Sequence, residues 1–84
     1  MTGELIQQYA TAVEAAGVVY TPQVWGEQRA EGTWEGWIEF HPTGGSGRVL
    51  RTGRETTQPD RDALAYWASG LEPLYFDGAL ERAA

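Results

Sequence analysis

The sequence predicts a single α+β domain, residues 1–84, in which two helices pack on an antiparallel sheet of three to four strands. Three observations lead to this fold class. The length of 84 residues leaves room for one hydrophobic core. The apolar content of 42% is that of a folded protein. Two stretches with helical periodicity flank a stretch that alternates like a strand, which predicts the order α-β-β-β-α-β in two layers.

The first element is predicted to be an amphipathic helix over about residues 3–16. Thr2 is a candidate N-cap, and Gly17 can adopt the left-handed conformation that often follows a helix. Apolar residues between them recur at the spacing of one helix face: Leu5, Ile6, Tyr9, Val13 and Ala16.

A β-β-β-α-β core is predicted over about residues 18–77. The first strand should run from Val18 to Arg29, where Pro22 indicates an edge, a bulge or a late start because proline donates no ladder hydrogen bond. Residues 33–40 alternate most clearly. Trp34, Gly36, Ile38 and Phe40 share one face, and Thr33, Glu35, Trp37 and Glu39 share the other. A Gly-rich hairpin loop over 41–47 leads to a third strand over 48–56.

The second helix is predicted to follow residues 57–60, which resemble a capping box that begins at Thr57. Its buried stripe is Ala63, Leu64, Trp67, Ala68 and Leu71, and Gly70 should end it. A short strand over 74–76 follows. Residues 77–82 either continue that strand or form a brief terminal helix.

The charge balance argues against nucleic-acid binding. Twelve acidic residues face six basic ones, all arginine, for a formal net charge of −6. Proteins that bind nucleic acid normally present a basic surface to the phosphates. No apolar run reaches the ~20 residues of a membrane span, and the start of the chain lacks the features of a signal peptide. We therefore expect a cytoplasmic protein with no nucleic-acid or membrane partner.

The residue types also argue against a self-contained catalytic or metal site. His41 is the single histidine, and the chain has no cysteine. A Ser-His-Asp triad or a zinc site would therefore need a second chain. His41 precedes Pro42 in a turn, which favours a solvated loop residue. Glu35 and Glu39 lie ~13 Å apart along a strand, too far to act on one bond. We expect no enzyme, no cofactor and no metal.

The Gly-rich loop is a candidate anion site. Backbone N–H groups in such a turn can bind phosphate, and arginines follow the loop. The candidate residues are Gly44, Gly45, Ser46, Gly47, Arg48 and Arg51. The alternative is a plain connector whose nearby arginines, Arg48, Arg51 and Arg54, pair with Glu35, Glu39 and Glu55.

The tryptophans suggest a binding surface. Trp34 and Trp67 fit the core, but Trp37 lies on the polar face of its strand beside Glu35 and Glu39. Trp25 has a parity that places it next to Trp37 across the hairpin. Exposed aromatic residues ringed by polar groups often anchor a protein partner. The alternative is a cross-strand aromatic pair that stabilises the sheet, or a pair covered by the N-terminal helix.

Two families resemble this chain. The α-β-β-β-α order resembles the double-stranded-RNA-binding domain, which implies an α+β fold. That family holds phosphates with a lysine-rich start of its second helix, but the matching residues 57–62 are net acidic here. The resemblance therefore implies the fold without RNA binding.

Residues 32–40, Gly-Thr-Trp-Glu-Gly-Trp-Ile-Glu-Phe, are similar to the glycine turn and aromatic-rich strand of HicB-like antitoxin domains. The similarity continues through 52–57 into the helix, and covers about 20–76. It implies a β-β-β-α-β core and a small toxin as partner. The Gly-rich loop replaces that family's proline-to-glycine segment, and no DNA-binding appendage is visible. Short bacterial proteins with a similar Gly-Thr-Trp-Glu-Gly-Trp strand imply no activity.

The function that the sequence predicts is a non-catalytic protein–protein interaction module, either antitoxin-like or self-associating as a homodimer. Its expected partner-binding residues are Trp25, Glu35, Trp37 and Glu39. The alternative is a small anion- or nucleotide-binding protein, or a small enzyme, that uses the Gly-rich loop and its arginines.

Overall fold

The computed structural model describes residues 3–44 and 47–84, which form an antiparallel sheet of six strands followed by two helices. The strands are β1 (Glu4–Gln8), β2 (Val13–Ala15), β3 (Val18–Gln28), β4 (Trp34–Pro42), β5 (Leu50–Arg51) and β6 (Thr56–Gln58). The helices are α1 (Arg61–Ser69) and α2 (Pro73–Arg82). The predicted α+β class is confirmed, but the sheet has more strands than predicted and both helices come at the end of the described chain.

Two long strands form the centre of the sheet, and each edge is built from two short strands. β3 pairs with β4 over nine residue pairs, from Tyr20 with Pro42 to Gln28 with Trp34. β1 and β2 both pair with the other side of β3, whereas β5 and β6 both pair with the other side of β4. The alternation that predicted strands over 18–29 and 33–40 is therefore confirmed at the centre of the sheet.

The predicted N-terminal helix over 3–16 is wrong, because these residues form β1 and β2. Ala16 and Gly17 have φ angles of 52° and 81°, as a two-residue type I′ hairpin turn requires, and they join β2 to β3. Gly17 thus serves a hairpin rather than a helix end. The apolar spacing that suggested a helix also fits two short strands, and the free side of β3 supplies their hydrogen bonds.

Pro22 lies within β3 at the point where the pairing passes from β1 to β2. Its carbonyl accepts a hydrogen bond from the Tyr9 amide at 3.2 Å, just after β1 ends. Because the chain leaves the edge of β3 there, the missing N–H of Pro22 costs no ladder bond. The proline therefore marks a break in the edge rather than an edge strand.

The predicted third strand over 48–56 is interrupted, and only its two ends pair with β4 as β5 and β6. Buried Thr52 bridges the gap: its amide donates to the Ile38 carbonyl at 2.9 Å, and its hydroxyl accepts from the Ile38 amide at 3.0 Å. The Glu55 amide then donates to the Gly36 carbonyl at 2.8 Å. These bonds give the backbone N–H and C=O groups of β4 hydrogen-bond partners between β5 and β6, where no strand pairs with it.

The helix α1 is confirmed, with one correction to its start. Its N-cap is Asp60, whose side chain accepts from the Ala63 amide at 2.8 Å, rather than Thr57, which lies in β6. Gly70 is the C-cap, as predicted.

The predicted strand over 74–76 is wrong, since these residues belong to α2. Pro73 stands in the first turn of α2, where its missing N–H is not needed. Phe76, Ala79 and Leu80 are buried at helical spacing. After the helix, Ala84 exchanges two backbone hydrogen bonds with Arg51, which extends the sheet beside β5.

The core lies between the helices and one face of the sheet, which we call the inner face. Its buried cluster joins apolar residues of β2, β3, β4, α1 and α2: Val13, Tyr20, Val24, Ile38, Phe40, Ala68, Phe76, Ala79 and Leu80. Gly26 and Gly36 face each other across β3 and β4, and both lie under buried Leu64 of α1. A Cβ atom at Gly26 would come within 2.4 Å of the Leu64 side chain. The glycine pair therefore lets α1 pack close to the sheet.

Candidate functional site

The face of β3 and β4 that points away from the helices, here called the outer face, collects the predicted partner-binding residues. The register places Trp25 opposite Trp37, Gln23 opposite Glu39, and Glu27 opposite Glu35. Thr21 lies opposite His41 at one end, and Arg51 of β5 lies opposite Glu39 on its other side. The structure therefore brings Trp25, Glu35, Trp37 and Glu39 together on one surface, as the alternation predicted.

Trp37 is not the exposed anchor that the sequence suggested, because it is only 4% exposed. The Arg51 guanidinium lies 4.3 Å from the centre of its ring. Gly3 lies against the other part of the ring, where an added Cβ would be 2.6 Å from the indole. The cross-strand pair with Trp25 is confirmed, but the cover comes from Gly3 and Arg51 rather than from an N-terminal helix.

Trp25 remains half-buried, so part of its indole surface faces solvent. Its Nε1 donates to the Gln23 side chain at 2.8 Å. Leu5 of β1 lies opposite Trp25 on the edge side of the sheet. The accessible aromatic surface of the outer face therefore belongs to Trp25, and Trp37 is buried beside it on the neighbouring strand.

Glu39 organises one end of the outer face. One carboxylate oxygen accepts from the Trp37 indole at 3.2 Å, and the other lies 3.0 Å from Nε2 of His41. His41 therefore lies in β4 with a defined partner and is half-buried, so the prediction of a solvated loop histidine is wrong. Each polar group at this end has a neighbour on the same face, which holds its side chain in place.

The other end of the outer face concentrates negative charge. Glu27 and Glu35 are direct cross-strand neighbours and are both half-buried. Arg29 reaches Glu35 at 3.6 Å from its exposed position. Within residues 3–44 and 47–84, no salt bridge involves Glu27. Two like charges directly opposite each other on a sheet destabilise it. A second cation beside Glu27 and Glu35, in addition to Arg29, would therefore stabilise this end of the face.

The candidate anion site lies only partly within the described residues. Gly45 and Ser46 lie outside the described residues. Gly44, Gly47 and Arg48 are exposed, and the Arg51 side chain lies on Trp37 and so belongs to the outer face. An anion site at this loop stays a prediction.

The alternative, in which the arginines after the loop pair with Glu35, Glu39 and Glu55, is wrong in the described part of the chain. Glu35 pairs with Arg29, and Glu55 pairs with Arg82. Glu39 lies beside His41. The arginines that follow the loop therefore do not provide the pairing expected from their position in the sequence.

A second polar cluster, which the sequence did not reveal, ties α2 to the segment between β5 and β6. The Tyr75 hydroxyl and the Arg82 guanidinium both donate to Glu55, each at 2.5 Å. Burial raises the pKa of Glu55, but the hydrogen bonds from Arg82 and Tyr75 and the charge of Arg82 outweigh it, so the pKa lies below its ordinary value of 4.5. Burial and the bond to Glu55 raise the pKa of Tyr75 to about 12. This cluster links α2 to the segment between β5 and β6, with Glu55 and Arg82 both charged at neutral pH.

A shallow cleft of about 370 Å³ lies beside this cluster, at the turn between the helices. It is lined by Gly70, Leu71, Glu72, Leu74 and Tyr75. Leu74 is 80% exposed at its rim. The outer face and this cleft thus both present accessible apolar groups beside polar side chains.

The described residues form neither a cluster that could hold a metal ion nor a membrane-spanning helix. In the two described ranges, no three His, Asp or Glu side chains are placed to hold a metal ion. None of the helices there is long and apolar enough to cross a membrane. No family model, curated protein or solved structure matches this chain. The geometry of the outer face therefore carries the functional argument.

Proposed function

We propose that this chain is a non-catalytic protein-binding module and that the outer face is its binding surface. The observation that carries the proposal is the contrast between the faces of β3 and β4. Both described helices pack on the inner face, while the outer face presents Trp25 among Gln23, Glu27 and Glu35. An aromatic group framed by polar residues is typical of the centre of a protein interface.

Order within this surface supports a role in binding. The indoles of Trp25 and Trp37 are both hydrogen-bonded to side chains on their own strands, at 2.8 and 3.2 Å. Side chains that are already fixed lose little conformational entropy when a partner binds. The outer face therefore presents a preorganised surface of aromatic, amide and carboxylate groups.

The partner in this proposal is another protein, and a second copy of the chain is the alternative. The HicB-like resemblance implies a small toxin, which is the narrower form of the proposal. The residues that carry that resemblance lie in and just before β4, in the segment 52–57 and in α1, whereas α2 occupies the place of that family's last strand. A cytoplasmic setting, expected from the sequence, is part of the same proposal.

Site-specific photo-crosslinking tests this function. A benzophenone amino acid replaces Leu5, which is half-buried on the outer face directly opposite Trp25. The control carries it at Tyr66, which is 81% exposed on α1. We expect one adduct of defined mass from position 5 in native lysate, and none of that mass from position 66.

Mass spectrometry of the adduct then distinguishes a second copy from a different protein. The proposal is contradicted if position 5 gives no adduct, or if both positions give the same set. Trp37→Ala is a poor probe of binding, because removing a buried tryptophan destabilises the fold itself.

A further inference from the structure

We propose that the outer face takes an arginine-bearing basic segment of its partner, with a guanidinium on Trp25 beside Glu27 and Glu35. This inference rests on the proposed function, since it names the partner chemistry of the same surface. It follows from two independent features, which are the unbalanced carboxylate pair and the way this face already holds an arginine of its own.

The carboxylate pair sets the charge of the occupant. Glu27 and Glu35 are opposite each other on β3 and β4, and Arg29 lies 3.6 Å from Glu35 alone. A second cation placed between them would relieve the repulsion of the two carboxylates. The formal net charge of −6 for the whole chain adds a long-range attraction for a basic partner.

Arg51 shows how this face holds a guanidinium. Its guanidinium lies 4.3 Å from the centre of the Trp37 ring, which is a cation–π contact, and Arg51 is the register partner of Glu39 on the same face. Trp25 is the direct cross-strand neighbour of Trp37 and has carboxylates at similar offsets, namely Glu27 along its strand and Glu35 diagonally across it. In the described residues, no arginine lies over Trp25. The partner's arginine would repeat the arrangement of Arg51 at this second tryptophan.

The planar shape of the indole favours arginine over lysine. A guanidinium stacks flat on an aromatic ring while its N–H groups reach carboxylates at the edge, whereas an ammonium group forms a compact point charge. A second copy of the chain is a poorer occupant, because two copies that each carry −6 repel each other and bring carboxylate-rich faces together.

A fluorescence-anisotropy titration tests the inference with a labelled peptide of alternating arginine and serine. The variant Glu27→Gln/Glu35→Gln removes the carboxylate pair and keeps the shape of both side chains. The control Asp62→Asn/Glu81→Gln removes two exposed carboxylates from the helices and changes the net charge equally. We expect the outer-face variant to bind about tenfold more weakly or worse, and the control to stay within about twofold. A lysine–serine peptide should bind more weakly than the arginine peptide.

Three results would overturn the inference. The first is no measurable binding by the natural chain, and the second is an equal loss in both double variants, which would assign the binding to net charge. The third is equal affinity for the lysine peptide, which would remove the stacking on Trp25. If any of these occurs while position 5 still crosslinks to a partner, the proposed function stands and only the basic chemistry of the partner fails.

Discussion

The two faces of β3 and β4 belong to the same strands but differ in the size of their side chains at the centre of the sheet. On the inner face, Gly26 opposite Gly36 leaves space for Leu64 of α1. One residue away on the outer face, Trp25 opposite Trp37 places two large rings where the described helices do not reach. The pattern Trp-Gly in β3 and Gly-Trp in β4 thus brings a helix close on one side and places two neighbouring indoles on the other.

A sheet face that the described helices leave uncovered need not be simple solvent surface. Trp37 is as buried as the core although neither described helix packs on this face, because Gly3 and Arg51 lie against it. Trp25 in turn keeps accessible surface beside two carboxylates. The inner face is therefore closed by the helices, while the outer face combines a buried indole with an accessible one.

The largest expected effect separates the two tryptophans of the outer face. Trp37→Ala should lower the free energy of unfolding by about 3–5 kcal/mol, because it removes a buried aromatic side chain. Trp25→Ala should lower it by about 1–2 kcal/mol, since this ring is half-buried. Urea denaturation followed by circular dichroism measures both values. Equal losses would show that the two rings share the same environment.

The glycine pair of the inner face gives the next effect. Gly36→Ala should destabilise the protein by about 1–3 kcal/mol, because the new Cβ would lie 2.7 Å from Leu64. In a Leu64→Ala background the closest contact is gone and Thr56 at 3.2 Å remains, so the cost of the added methyl should fall to less than half. The control Gly53→Ala places a Cβ in open space and should change little. A cost at Gly36 that persists in the Leu64→Ala background would contradict close helix packing as the reason for glycine.

The sequence could predict these central strands but not the shielding around them. Alternation placed Ile38 and Glu39 on opposite faces, since that pattern depends only on local geometry. The burial of Trp37 depends on Gly3 and Arg51, which lie far from it in the chain, so local patterns carry no signal for it.

The N-terminal strands and the polar cluster were missed for the same reason. The apolar spacing before Ala16 fits a helix or two strands, and the unpaired side of β3 decides between them. Glu55 meets Tyr75 and Arg82 only because α2 is a helix that packs on the inner side. Its start at Pro73 and its buried residues at helical spacing could have signalled that helix.

The Glu55 cluster gives a pH-dependent effect that is separate from the outer face. Because the folded pKa of Glu55 is lowered, its ionised form stabilises the protein above its ordinary pKa of 4.5. That contribution is lost as the pH falls below 4.5 and through the folded pKa. Denaturation midpoints measured from pH 6 to pH 3 should therefore fall less steeply for Glu55→Gln than for the natural chain. Glu81→Gln, at an exposed position, is the control and should follow the natural chain. An unchanged slope in Glu55→Gln would contradict a stabilising role for the bonds from Tyr75 and Arg82 to Glu55.

The smallest effect has the opposite sign and sharpens the contrast between the faces. Glu27→Gln should raise the free energy of unfolding by about 0.2–1 kcal/mol, because it removes a like charge opposite Glu35. Glu14→Gln is the control, since Glu14 lies opposite Val19 and should change little. Thermal unfolding at low ionic strength measures the difference. Destabilisation by Glu27→Gln would contradict a net repulsion between Glu27 and Glu35 in the folded protein.

A ¹⁵N NMR titration with the arginine–serine peptide, followed through the four tryptophan indole N–H signals, distinguishes binding on the outer face from binding at the helices. Trp25 and Trp37 report on the outer face, Trp34 on the inner face at the start of β4, and Trp67 on the contact of α1 with Tyr75 of α2. If the outer face is the binding surface, the Trp25 signal moves most and the Trp67 signal stays in place. Movement of the Trp67 signal with a fixed Trp25 signal would place binding at the helices and contradict the account.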